Sequence, residues 1–196
     1  MPDEGRPAQR APTTEEELRA VTVGELQPLS GPILLVDYDP NWPAQFEGEA
    51  TRVRAVLGAR ALRIEHVGST SIPGLAAKPI IDVLLVVADA TDEGAFVPAL
   101  EAAGYRLRIR EDEHRLFKGP DVDVNLHVFS SGHPEVDRML LFRDWLRAVP
   151  ADRELYLRTK RELAKRRWRY VQNYADAKTT VVEEILARAG TRTNTH

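Results

Sequence analysis

The sequence predicts a single α/β domain whose strands precede residue 130 and whose helices dominate after it. Three observations carry that prediction. Residues 80–87 are apolar except for Asp82, the pattern of a central strand covered on both faces. Residues 105–129 largely alternate apolar and polar side chains with a period of two. From Pro134 to residue 189 the apolar positions recur at helical spacing instead.

Taken in order, residues 1–30 are rich in Pro, Thr, Gly and acids and carry few large apolar groups. Such a stretch buries too little surface to offset its ordering entropy, so a flexible tail is expected, with one helical turn over 14–20 capped by Thr13 or Thr14. A short strand is expected over 33–36. Asp39, Pro40, Asn41 and Trp42 form a turn, and Pro43 suits the first position of a helix running to Gly58 with Phe46, Ala50, Val53 and Leu57 on one face. A strand over 61–67 breaks at Gly68, Ser69, Thr70 and Ser71. A short helical or irregular segment over 72–77 leads through Lys78 to the apolar strand 80–87. A helix over 91–103 closes at Gly104. Strands 105–110 and 114–118 pair across the turn 111–113, and a last strand spans 121–129. Helices follow over 134–148, 151–170 and 173–189, with Pro150 and Asn173 as punctuation and a frayed end over 190–196.

Composition narrows the function classes. With 196 residues the chain fits one core; 43% hydrophobic and 29% charged content is ordinary for a globular protein. A net charge of -3 supplies no global attraction to nucleic acid or anionic lipid, so any basic site must be local. The absence of cysteine excludes disulfides and thiolate metal sites. The first twenty residues hold no apolar segment, and no run reaches the ~20 apolar residues of a membrane span, so a cytoplasmic protein without membrane association is expected.

Three local features can carry chemistry. Asp82 is costly to bury among apolar strand residues unless a cation compensates it; Lys78 or an arginine can do so as a structural ion pair, and so can a metal. On the strand 121–129, Asp121, Asp123, Asn125 and His127 share one face, which is either a solvated edge or, beside Asp82, a set of oxygen and imidazole donors for a divalent cation. Gly68, Ser69, Thr70 and Ser71 form either an ordinary turn or a phosphate cradle of backbone N–H groups and hydroxyls.

The continuous motif from His66 through Gly68, Ser69, Pro73, Gly74, Lys78, Pro79 and Asp82 to Val83 closely resembles the signature of the GrpB family, itself similar to the nucleotidyltransferase superfamily. Tyr38 to Trp42, Asn125 to Val128, Phe142 to Arg147, and the pairs Tyr156/Lys160 and Tyr174/Lys178 extend the resemblance over 33–188. It implies a mixed sheet flanked by helices, and a Mg²⁺-dependent transfer of a nucleotidyl group from a nucleoside triphosphate to a small-molecule acceptor. Asp82 and Asp123 then look like catalytic acids, with Asp82, Asp123 and His127 as metal ligands. Gly68, Ser69, Thr70, Ser71, Lys78, Arg115, Arg143 and Lys178 look like phosphate contacts. One position departs: where the superfamily pattern places a second acid, two residues after the first, stands Leu84. Either Asp121, Asp123 or His127 replaces that ligand, or metal is held weakly, or the domain binds a nucleotide or coenzyme-A-like ligand without turnover.

The remaining basic residues have plainer readings. The cluster within 158–169 is spread around several helical faces and interleaved with Glu154 and Glu162, which reads first as a solvated surface, with RNA or tRNA handling as the last alternative. Lys160 and Lys178 coincide with the family's positions and can reach a phosphate. Arg143 lies on an inward stripe with Val136, Met139 and Leu140, where it pairs with a structural carboxylate or a ligand. His66 is expected to make a structural hydrogen bond, and His114 and His133 receive no role.

Overall fold

The computed structural model describes residues 12–121 and 123–193. Its centre is a five-stranded mixed sheet in the order β1-β2-β5-β4-β3, built from β1 (Arg63–Val67), β2 (Ile81–Val87), β3 (Arg106–Glu111), β4 (His114–Lys118) and β5 (Val124–Ser130). Only β2 and β5 run parallel; β1 pairs antiparallel with β2, and β4 with both β5 and β3. β2 is the apolar run, and its central place explains why it can be apolar on both faces. Val83, Leu85, Val124, Leu126 and Val128 pack beneath helices α2 (Trp42–Leu57) and α3 (Val97–Ala102). On the other face, Leu84, Val86 and Phe129 meet Val136 and Leu140 of α4 (Pro134–Ala148). A separate apolar cluster joins Leu146, Leu157, Val181 and Ile185 to Ile72 and Leu75 in the β1–β2 connection. It thereby fixes α5 (Pro150–Ala164) and α7 (Thr179–Thr193) over one end of the sheet, while α6 (Val171–Asp176) packs through Tyr174 on Ile33 and Leu163. Among the described residues no helix is long and apolar enough to cross a membrane.

Several expectations need correction. The segment from Thr13 to Ser30 is not a free tail. Thr14 caps α1 (Glu15–Val21) through a capping box with Glu17, and Thr22 bridges Ile109 on the edge strand β3. The Leu29 N–H donates to the Arg169 carbonyl. Residues 1–11 of that expected tail lie outside the described residues. The strand over 33–36 reduces to one bridge between Val36 and Ala77, with Leu34 exposed. The helix over 91–103 splits into a 3-10 turn at Glu93–Ala95 and α3, because Pro98 is tolerated only in a first turn. α5 stops at Ala164 rather than 170; the Leu163 carbonyl accepts from both the Arg166 N–H and the Trp168 indole. Asn173 lies inside α6, where its side chain accepts from the Tyr170 N–H, and α7 continues through Gly190. Residues 194–196 are likewise outside the described set. The last strand begins at Val124, not Asp121.

The exit from β1 is the tightest point of the chain. Val67 stands opposite Asp82, so the chain leaves the sheet directly over that carboxylate. Gly68 turns it with φ 68° and ψ -175°, a conformation essentially restricted to glycine. A Cβ there would lie 2.3 Å from Asp82 Oδ2. Gly68→Ala is therefore expected to lower unfolding stability by at least ~1–3 kcal/mol, read as a shifted denaturant midpoint at constant slope. An unshifted midpoint would show that the turn is not constrained in this way.

Candidate functional site

The site is built on Asp82. Parallel pairing places Asp82 beside Asn125, whose Nδ2 donates to Asp82 Oδ1 at 2.8 Å, while His127 Nε2 lies 3.4 Å from the same oxygen. Burial pushes the Asp82 carboxyl upward, but the His127 and Asn125 contacts and the Lys78 charge outweigh it and hold the group below the usual carboxylate range. Its side chain retains 25% of its exposure, so the carboxylate lines a recess open to solvent.

Four lysines converge on this acid from separate elements: Lys78 before β2, Lys118 at the end of β4, Lys160 on α5 and Lys178 just before α7. Lys118 Nζ donates to Asn125 Oδ1 at 2.7 Å, and Lys160 Nζ, only 2% exposed as a residue, donates to the Ala76 carbonyl at 2.8 Å. Lys78 and Lys178 are held differently. Their ammonium groups sit 5.7 and 4.6 Å from the centre of the Tyr174 ring. Among the described residues neither meets a carboxylate or carbonyl at hydrogen-bonding distance. Burial lowers all four lysines, Lys160 well below the usual range and Lys78 to about 8, and for Lys78 the Lys178 and Lys118 charges add to the effect. The Tyr174 hydroxyl is buried, and among the described residues it has no hydrogen-bond partner. Tyr156, pushed up to about 12 by burial against a smaller opposing effect of Ser69, lies under Lys160.

The expected residues thus separate into two groups. Gly68, Ser69, Lys78, Asp82, His127 and Lys178 come together, with Asn125. Thr70 and Ser71 share the turn, but their hydroxyls are spent on backbone carbonyls: Thr70 donates to Ile80 and Ser71 to Gly68. Asp123 lies just before β5 with its side chain exposed; its backbone carbonyl accepts from Ile81, and its charge acts on Lys78 and Lys118. Asp121 is drawn away to Arg52 at 2.5 Å, and Val122 is outside the described residues.

Two arginines belong elsewhere. Arg115 faces the opposite side of the sheet, paired across from Val128, and its buried guanidinium donates to Glu93 and to the carbonyls of Glu111, Asp112 and His114. Arg143 donates to Glu65, Asp144 and the His66 carbonyl, the structural pairing. His66 is structural too, 3.0 Å from Thr70 Oγ1 and stacked on Phe46. Lys118 and Arg147 went unassigned in the sequence. Arg147 donates twice to the Ser71 carbonyl and so ties α4 to the glycine turn. His114 also lies closer to the site than expected, its Nε2 3.4 Å from His127 Nδ1.

A resident Mg²⁺ does not fit this donor set. The ion needs about six oxygen donors in near-octahedral array. Asp82 Oδ1 already accepts from Asn125, Leu84 offers nothing, and among the described residues no group of three His, Asp or Glu side chains is placed to hold a metal. The arrangement instead presents ammonium groups and a glycine turn to the recess, which is the chemistry of polyanion recognition.

Comparison with known proteins agrees with this architecture. The chain is 60% identical over 192 residues to the UPF0157 protein BH1888 of Halalkalibacterium halodurans, covering 96% of this chain and 98% of that protein. It is 32% identical to the dephospho-CoA kinase of Mycolicibacterium paratuberculosis, over 81% of this chain but only 46% of that protein. Among solved structures, GrpB from Enterococcus faecalis superposes with a TM-score of 0.72 at 29% identity, covering 82% of this chain and 99% of that one. The Cid1 poly(U) polymerase with MgGTP bound matches at a TM-score of 0.50 and 13% identity, over 67% of this chain and 45% of that one, a likeness of fold alone. The fold is therefore nucleotidyltransferase-like. The model of the GrpB protein family matches residues 32–188, and the chain belongs to that family.

Proposed function

We propose that the recess binds the phosphates of a nucleotide or of a nucleotide-containing coenzyme. One observation carries the reading: Lys78 and Lys178 act on Asp82 and lie against the Tyr174 ring, and among the described residues neither ammonium group, nor the buried Tyr174 hydroxyl, has a hydrogen-bonding partner. Polar groups left unpaired in a site that is buried at Tyr174 and half-buried at Lys78 and Lys178 are costly, so a ligand that completes all three stabilises it. Phosphate oxygens suit all three, and Gly68 lets the chain pass close to Asp82 where a side chain would collide. The similarity to part of a dephospho-CoA kinase supports a coenzyme ligand, since dephospho-CoA is itself a diphosphate of adenosine; the kinase reaction does not transfer with a match to less than half of that protein.

A second reading, nucleotidyl transfer, is favoured by the place of Asp82 under the Gly68–Ser69 turn on a nucleotidyltransferase-like sheet. A hydroxyl of the acceptor held beside Asp82 would give its proton to that carboxylate as its oxygen attacks the α-phosphorus, and pyrophosphate would leave with the displaced electron pair. Asp82→Asn is expected to abolish pyrophosphate release from a mixture of nucleoside triphosphate and candidate acceptors, with the fold retained by circular dichroism; undiminished release would remove this role.

Binding itself is tested by calorimetric titration with ATP and dephospho-CoA. Lys178→Gln and Lys78→Gln are each expected to weaken binding by roughly 10- to 100-fold, the range for hydrogen bonds to charged groups; unchanged affinity contradicts the reading. Tyr174→Phe gives a sharper result. Removing an unpartnered buried hydroxyl is expected to leave the free protein as stable or ~1 kcal/mol more stable, while weakening the ligand. Loss of stability with unchanged affinity would make the hydroxyl structural.

A further inference from the structure

The misfit between the donor set and a divalent cation has a consequence for what the recess takes up. We infer that the site binds its polyphosphate as the metal-free anion, with Lys78, Lys118 and Lys178 supplying the positive charge that a metal held by two carboxylates would otherwise supply. The inference rests on the phosphate-binding reading above and deepens it.

The charge arrangement decides the matter. Among the described residues Asp82 is the one carboxylate within the cluster, and Lys78, Lys160 and Lys178 all act on it or on one another electrostatically. The neighbouring acid, Asp123, is exposed and acts on Lys78 and Lys118. A cation of charge two placed beside Asp82 would face these ammonium groups at close quarters, in a partly desolvated recess where repulsion is weakly screened. It would also find Oδ1 of Asp82 already accepting from Asn125, and Leu84 where a second ligand belongs.

A metal-free triphosphate meets the opposite field. Its oxygens satisfy the Lys78, Lys178 and Tyr174 groups, and its charge offsets the burial, and the Lys178 and Lys118 charges beside it, that lower Lys78. Magnesium chelated by the same phosphate oxygens competes with the lysines for them. Added Mg²⁺ therefore weakens binding or leaves it unchanged, the reverse of the dependence that a carboxylate-held metal would produce.

The experiment titrates the intact chain with ATP, and separately with inorganic tripolyphosphate, once in EDTA and once in saturating MgCl₂ at matched ionic strength. The expected result is binding in EDTA at an affinity equal to or several-fold tighter than in MgCl₂, with the EDTA advantage shrinking in Lys178→Gln. Affinity that rises tenfold or more with MgCl₂, or that vanishes in EDTA, overturns the metal-free inference while leaving the phosphate-binding reading intact. Absence of binding by both probes in both buffers overturns the two together.

Discussion

The contact between Gly68 and the Asp82 carboxylate is the constraint on which the recess depends. Asp82 sits on the central strand, where a lone acid is expensive, and the chain passes over it so closely that no side chain fits at Gly68. Two neighbouring side chains, Asn125 and His127, keep the carboxylate ionised, and the ammonium groups beyond them complete its compensation. One negative charge thus gathers several positive ones. The surplus is left facing solvent-accessible space, and a surplus of desolvated positive charge is an anion site.

Position in the sheet makes this gathering possible. Parallel pairing of β2 with β5 sets Asp82 beside Asn125, and antiparallel pairing of β5 with β4 carries Lys118 to the same spot. The helical C-terminal part contributes what the sheet lacks. α5 and the α6–α7 junction each present a tyrosine and, four residues on, a lysine, so that each ammonium lies against its own aromatic face. Apolar packing of Leu146, Leu157 and Ile185 on Ile72 and Leu75 clamps these helices over the glycine turn, and Arg147 fastens the turn from the same side. Packing and charge placement are here one arrangement.

Much of the site was legible in the sequence for a physical reason. A single acid in an apolar run, a glycine at a strand exit, and a period of two that puts Asn125 and His127 on one face are all local signals, and each is found where it was expected. Arg115 was placed in the recess by its charge, yet strand parity groups it with Phe117 rather than with Lys118, and parity prevailed. Asp123 carries the same lesson at a strand boundary: with pairing starting at Val124, its carboxylate remains exposed. The convergence brings Lys118, Lys160 and Lys178 in from 40 to 100 residues beyond Lys78, which no local pattern encodes. The ordering of 13–30 was hidden similarly, because the edge of β3 and the Arg169 carbonyl that hold it lie far along the chain.

The central claim, a recess with unpartnered ammonium groups awaiting an anion, is tested most directly by NMR of lysine side chains labelled at Cε and followed through a pH titration. The account predicts that Lys78, assigned by its loss in Lys78→Gln, titrates at about 8 in the free protein, and moves upward when tripolyphosphate is added, because a bound anion favours the protonated amine. A Lys78 signal that titrates with the ordinary lysines near 10.5 and ignores the anion would contradict it.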